Sequence, residues 1–384
     1  MKKFLGKMDL WLLVFTFLYA VIGAIMIYSA SSILTVLSQQ LASTYYFKKQ
    51  VVVVLFSFVI SLFVIRIPTS KYRYFEYFSI IAIIALLLGL SFYGKVVNGA
   101  KGWYDLGIFN LQPSEFAKSI LIVFMAIYYS DLINKNERNL LSYLLPLGVS
   151  LFIILLILKQ PDMGSAAIIT LLVFLIFIGL PFNKIIKYKT TKMITIGVTI
   201  IALLAFTLGP KLISSYQLQR FTFQDPCTRY QEATGYQVCN GFIAIKNGGV
   251  FGLGFGNSTQ KYLYLPEAHT DFIFPIICEE LGIIVGGLII IGYGFILWRI
   301  LLIAKRANNI RNSILAYGTF IYLALHILIN LLGVLALMPL TGVPLPLLSY
   351  GGSFNINVIL LLFMCQRISI ESKESKIKEK IAKL

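Results

Sequence analysis

Residues 10–33 read LWLLVFTFLYAVIGAIMIYSASSI, a run without one Asp, Glu, Lys or Arg. About 20 apolar residues in a helix are needed to cross the ~30 Å hydrocarbon layer of a bilayer. Outward from this stretch, comparable runs recur at roughly 47–65, 77–93, 114–131, 141–158, 163–182, 193–209, 272–298, 313–338 and 352–368, separated by short polar breaks. Met1-Lys2-Lys3 ahead of the first run could open a signal peptide, but the run is too long for one and lacks a small-residue cleavage site, so the first helix is expected to stay. Composition agrees. Of the 384 residues 58% are apolar and 13% charged, about half the charged share of a soluble domain, and mean hydropathy is +0.83. The expected fold is an all-α polytopic membrane protein with about ten transmembrane helices.

The net charge of +17 would suggest nucleic acid in a soluble chain, but here it sorts by loop. With the N-terminus inside, 22 of the 33 Lys and Arg fall on the cytoplasmic side, ten lie outside and Lys118 falls within a span. Half of those ten sit in one long loop, where the positive-inside bias carries little weight. The charge is thus a topology signal, and no nucleic-acid partner is expected. Both termini are expected in the cytoplasm, with one large extracellular loop, 210–270, between helices 7 and 8. Residues 1–370 read as a single transmembrane domain. The acid-base mixture of 371–384 reads as a cytoplasmic charged tail, either solvated or a frayed interfacial helix.

Long ordered loops usually carry function. The 210–270 loop holds many aromatics and a glycine cluster (Gly248, Gly249, Gly252, Gly254, Gly256), which without a surrounding βαβ unit reads as tight turns and not as a dinucleotide site. Cys227 and Cys239 lie in it, in an oxidising setting that favours a disulfide, whereas Cys278 and Cys365 read as small packing residues. With only His269 and His326 in the chain, a zinc site is not expected. Acidic residues are scarce, so their places are informative: Glu115 with Lys118, Asp162, and Glu267, Asp271, Glu279 and Glu280 at the head of the eighth span. Charges at membrane depth cost roughly 2.5–3.5 kcal/mol each and normally face a polar cavity or each other. Glu115 and Lys118, three apart, either neutralise one another or line a substrate cavity. Asp271 reads either as an N-terminal charge favoured by the helix dipole or as a reacting group.

These segments together resemble the SEDS family (shape, elongation, division and sporulation) of bacterial cell-wall proteins, represented by FtsW and RodA. The resemblance rests on Tyr28-Ser29-Ala30-Ser31-Ser32, on Asn98 to Trp103, on Leu111 to Lys118, on Gln160-Pro161-Asp162-Met163-Gly164, on Leu265 to Phe274 with Glu279-Glu280-Leu281-Gly282, and on Pro339 to Pro346 with Leu348 to Ser353. It departs at Gly102, where the family often has Arg or Ser, and at Phe354-Asn355 after Ser353. Tyr236 to Cys239 and Val334 to Gly342 look more like the division branch of low-GC Gram-positive bacteria than the elongation branch.

The resemblance implies a peptidoglycan glycosyltransferase that polymerises lipid II at the outer face of the plasma membrane, with a class B penicillin-binding protein and divisome membrane proteins as partners. A sugar hydroxyl must attack an anomeric carbon while a lipid pyrophosphate leaves, with inversion. Asp271, matching the family's essential aspartate, is the candidate base, and Glu267 is second. Candidate substrate contacts are Trp103, Lys118, Glu115, Glu267 and Lys101. No cofactor is assigned; Asp271 and Glu267 could hold Mg²⁺ or Mn²⁺ against phosphate oxygens. Two other readings stay open on the residues: a lipid II flippase, and a non-catalytic scaffold for the transpeptidase.

Overall fold

A computed structural model describes residues 6–97, 100–107, 110–137, 139–182 and 223–382, with the isolated positions 188 and 192. The span expected at 193–209 lies outside the described residues. Among these residues the chain runs through α1 (Leu10–Leu37), α2 (Tyr45–Val64), a 3₁₀ segment (Thr69–Phe75), α3 (Glu76–Tyr93), β1 (Lys95–Val97), β2 (Ala100–Asp105), β3 (Asn110–Leu111), α4 (Pro113–Asn134), α5 (Leu140–Leu158), α6 (Met163–Gly179), α7 (Ala233–Gly248), α8 (Ile273–Lys305), α9 (Ile310–Val334) and α10 (Gly352–Ile381). Among the described residues eight helices are long and apolar enough to cross a membrane, and α6 is a shorter apolar one.

Local chemistry sets the helix starts. Asp9, Asn139, Asp162 and Asn309 accept hydrogen bonds from backbone amides of the first turns of α1, α5, α6 and α9, the usual N-cap arrangement. Pro113 opens α4, where an amide would have no partner, and Glu115 sits in its first turn, favoured by the dipole.

The bundle has a centre and a rim. In α10 94% of the apolar window is buried and in α9 78%, against 28% for α2, α3 and α5, so the rim helices keep apolar faces for lipid. α4 packs on α9 and α10, α8 on α9, α1 and α7, and α2 on α10.

Four features depart from the sequence expectation. A small antiparallel sheet, ordered β1-β2-β3, follows α3, with Lys95 opposite Trp103 and Tyr104 opposite Leu111. The 210–270 loop contains a helix, α7. The last helix runs on past 368 to Ile381, the helical one of the two readings of the tail, but the start of that tail is anchored and not frayed: Glu371 accepts from Thr69 and Asn312 and is bonded by Arg367. Finally, the eighth span is broken: Gly282 takes φ 84° and ψ 166° inside α8, a conformation suited to glycine.

Candidate active site

Asp271 lies immediately before α8, in a loop bolted to the segment that joins α9 to α10. Ser349 donates its hydroxyl to the carbonyl of Thr270 at 2.5 Å, and the Tyr350 amide donates to the His269 carbonyl at 2.9 Å. Asn330 of α9 donates to the carbonyls of both Asp271 and Val343, 2.7 Å each. The Asp271 carboxylate therefore hangs from a fixed backbone. Its Oδ1 accepts from the Thr270 hydroxyl at 3.1 Å, and the same hydroxyl reaches Glu267 Oε2 at 2.7 Å. Gly342, at φ 68°, lies across from it: a Cβ there would sit 3.6 Å from Asp271 Oδ2.

The two carboxylates that share the Thr270 hydroxyl supply hard oxygen donors, the type that suits Mg²⁺ or Mn²⁺. Among the described residues no group of three or more His, Cys, Asp or Glu could hold a metal ion. A divalent ion here would thus need phosphate oxygens to complete its shell.

His269, two residues before Asp271, is buried against Tyr46 and Tyr350, with ring centroids at 4.6 and 5.6 Å. Burial pushes its pKa down to about 4, with Glu267 opposing, so the ring is neutral at pH 7. Burial likewise raises the pKa of Tyr350, helped by the neighbouring tyrosines.

One turn along α9 from Asn330 is His326, and there a second polar group begins. Lys118 is 1% exposed; its Nζ lies 2.7 Å from Glu115 Oε1 and 3.4 Å from His326 Nε2. Tyr322 donates to Glu115 Oε2 at 3.4 Å, and Asn357 of α10 donates to the Glu115 carbonyl at 3.0 Å. An ammonium and a carboxylate are thus enclosed together in the middle of the bundle, which neutralises both. The α9 residues that contact the two groups, Asn330 and His326, are four residues apart, about one helical turn.

A third group ties α4 to the α6 turn. Gln112 and Ser114 each donate to Asp162 Oδ2 at 3.1 Å, and Gly164 faces the Thr341 carbonyl so closely that a Cβ would come within 2.8 Å of it. Residues 341–342 therefore lie between Asp162 and Asp271.

The structure brings Glu115 to Lys118 and Glu267 to Asp271. Trp103 and Lys101 lie on the hairpin: Trp103 is half-buried opposite Lys95, and Lys101 donates to the Ser91 carbonyl at 2.7 Å. The hairpin joins the rest through Ser353, which donates to the Asn110 carbonyl and accepts from the Gln112 amide. Cys227 and Cys239 are bonded, with Cα atoms 4.9 Å apart, and pin the start of α7. Sequence reasoning missed Tyr322, His326 and Asn330, although their i, i+4, i+8 spacing puts three polar side chains on one face of an apolar span, a signal for an internal site.

Comparison with known proteins agrees with this architecture. The family model for the cell cycle proteins FtsW, RodA and SpoVE matches residues 9–374. A probable peptidoglycan glycosyltransferase FtsW of Bacillus subtilis is 31% identical over 99% of this chain and 95% of its own length. Stage V sporulation protein E of the same organism is 33% identical over 90% of this chain and 92% of its own. Among solved structures, the rod shape determining protein RodA of Thermus thermophilus superimposes with TM-score 0.67 at 22% identity, covering 94% of this chain and 96% of that one. A chain from a peptidoglycan synthase complex, studied for its coordination of polymerization and crosslinking, superimposes with TM-score 0.74 at 22% identity over 95% and 98%.

Proposed function

The chain belongs to the family of FtsW, RodA and SpoVE cell cycle proteins, and from that premise we propose that it is a lipid II-dependent peptidoglycan glycosyltransferase serving septal wall synthesis. Its ends lie in the cytoplasm and the Asp271 end of α8 faces outward, in keeping with the distribution of Lys and Arg. Its partner is a class B penicillin-binding protein, within a set of divisome membrane proteins. The activity is the one named for the FtsW relatives, and a crosslinking partner is supported by the likeness to a chain of a peptidoglycan synthase complex that coordinates polymerization and crosslinking.

The observation that carries the reading is the placement of the Asp271 carboxylate, at the mouth of a membrane-spanning helix and on a backbone immobilised by Asn330 and Ser349. A general base needs a fixed position within hydrogen-bond reach of the hydroxyl it serves. Asp271 takes the proton of the attacking sugar hydroxyl as its oxygen bonds to the anomeric carbon. The carbon–oxygen bond to pyrophosphate breaks, and the pyrophosphate leaves with the electron pair, inverting the centre. Thr270, bonded to both Asp271 and Glu267, orients the base. When bound between Glu267 and Asp271, a divalent ion would neutralise phosphate charge.

Lys118 contributes differently from a free cation. Its charge is paired with Glu115 at 2.7 Å, so it shapes the polar floor beneath the site. Trp103 and Lys101 approach the substrate from the hairpin, as sugar or prenyl platform and phosphate contact. The test is glycan synthesis from lipid II by the purified chain, alone and with its transpeptidase, comparing wild type with Asp271→Asn.

A further inference from the structure

The segment after α7 is turned inside out. Phe251 is 84% exposed, and Val250, Leu253, Phe255, Tyr262, Leu263 and Tyr264 are exposed beside it, whereas Lys261 is 5% exposed and Glu279 and Glu280 are fully buried. Lys261 Nζ lies 3.0 Å from Glu280 Oε1, 3.2 Å from Ser29 Oγ and 2.6 Å from the Gly256 carbonyl. Glu279 accepts from Ser258, from the Thr259 hydroxyl at 2.8 Å and from the Thr259 amide at 3.2 Å. Charges inside and large apolar groups outside is the arrangement of a surface solvated by lipid, since a soluble loop rarely exposes a contiguous apolar patch.

Backbone bonding points the same way. α8 is broken at Gly282, and its orphaned groups are taken by this segment: Leu253 N donates to Glu279 O and Gly254 N to Glu280 O, both 2.9 Å, while Ile283 N donates to Gly249 O at 3.0 Å. Gly252 N donates to Gly248 O at 2.7 Å, and Asn257 closes the turn through Gly254 O at 3.1 Å and Leu253 O at 3.0 Å. Irregular backbone at membrane depth must find such internal partners, because lipid offers none.

Depth can be read along two helices. Gly282 is nine residues into α8 from Ile273, about 13 Å at 1.5 Å per residue. Ser29, the α1 partner of Lys261, lies eight residues before the end of that helix, about 12 Å. Centred on a ~30 Å hydrocarbon layer, helices of these lengths, about 42 Å for α1 and about 50 Å for α8, overhang it by about 6 and about 10 Å at each end, which puts Ser29 about 6 Å and Gly282 about 3 Å inside its boundary. The exposed residues Ile283, Ile284 and Leu288 of α8 continue the patch directly into the lipid-facing side of a membrane-spanning helix.

We infer that α7 and residues 249–264 form a re-entrant element. It descends from the Asp271 end of the bundle, turns in the glycine cluster and rises again, with its aromatic face against lipid acyl chains. The buried Lys261–Glu280 pair and the α8 break are what make that descent tolerable. This inference stands on geometry alone and does not depend on the proposed activity.

Phe251→Cys and, separately, Phe255→Cys, each labelled with bimane in the full chain and placed in phosphatidylcholine nanodiscs, test it. The unsubstituted chain, with Cys278 and Cys365 both buried, gives the background. Doxyl-labelled phosphatidylcholine is expected to quench both labels as strongly as one at Leu288→Cys, and aqueous iodide to leave them bright while quenching one at Thr228→Cys. Iodide quenching comparable to that at position 228 overturns the inference in favour of a water-facing loop. Protection from both quenchers overturns it in favour of a protein-covered surface, such as a second copy of the chain.

Discussion

The side-chain amide of Asn330 donates to the main-chain carbonyl of Asp271 at 2.7 Å, so a residue buried near the end of α9 fixes the backbone from which the candidate base projects. The same nitrogen holds Val343. Asn330→Leu leaves two buried carbonyls without this donor, at about 1–3 kcal/mol each. A lower Tm in nanodiscs is expected, with a fall in kcat larger than any change in KM for lipid II. Unchanged kcat in a folded variant would contradict the positioning role.

Glu115 and Lys118 form one neutral unit. Removing either partner leaves a buried charge and costs about 3–5 kcal/mol. Glu115→Gln and Lys118→Met are each expected to lower Tm sharply, and the double variant to be more stable than either. Additive losses in this double-mutant cycle would show that the two charges do not support each other.

The pair was legible in the sequence from its three-residue spacing, as were the described spans, because a bilayer imposes run length directly. The break at Gly282 was not, since 272–298 is almost continuously apolar and the groups that replace its lost bonds come from 249–254, beyond any local pattern. For the same reason Lys261 counted as an external loop charge, although it is buried on Glu280. The hairpin around Trp103 escaped because its strands are short and its support comes from α3 and α4. Of the candidate site, the chemistry-bearing residues were legible as scarce acids, whereas Asn330, which holds the Asp271 backbone, and His326, beside Lys118, show only in the spacing of polar side chains along one face of α9.

His269 makes stability pH-dependent. Its folded pKa is about 4 against an ordinary ~6.5, so the unfolded chain binds the proton more readily. The stabilising difference is fully present above pH ~6.5 and is lost as pH falls toward 4, up to about 3 kcal/mol by linkage. Compared with wild type, His269→Phe is expected to show a shallower decline of Tm between pH 6.5 and 4. Parallel curves would remove His269 from the account.

The Cys227–Cys239 bridge closes a short loop, sequence separation 12, and bridges of this size contribute about 3 kcal/mol. Reduction, or Cys227→Ser with Cys239→Ser, is expected to lower Tm by a few degrees without affecting assembly into the membrane. A reduced protein with wild-type Tm would show that packing alone holds α7.

The central claim is that Asp271 acts as the base of a polymerase. Asn preserves its volume and still accepts a hydrogen bond, so Asp271→Asn should cost little stability, about 0.3–1 kcal/mol from the helix-start charge, but it cannot take a proton, which typically costs 10²- to 10⁴-fold in rate. The direct measurement is glycan product from labelled lipid II in detergent, with Mg²⁺ or Mn²⁺, where no leaflet exists to cross. The account predicts product from the wild-type complex with its transpeptidase and a loss of that order in Asp271→Asn, with folding and partner binding kept. A well-folded wild-type complex that makes no glycan, or an Asp271→Asn variant that makes it at the wild-type rate, would contradict it.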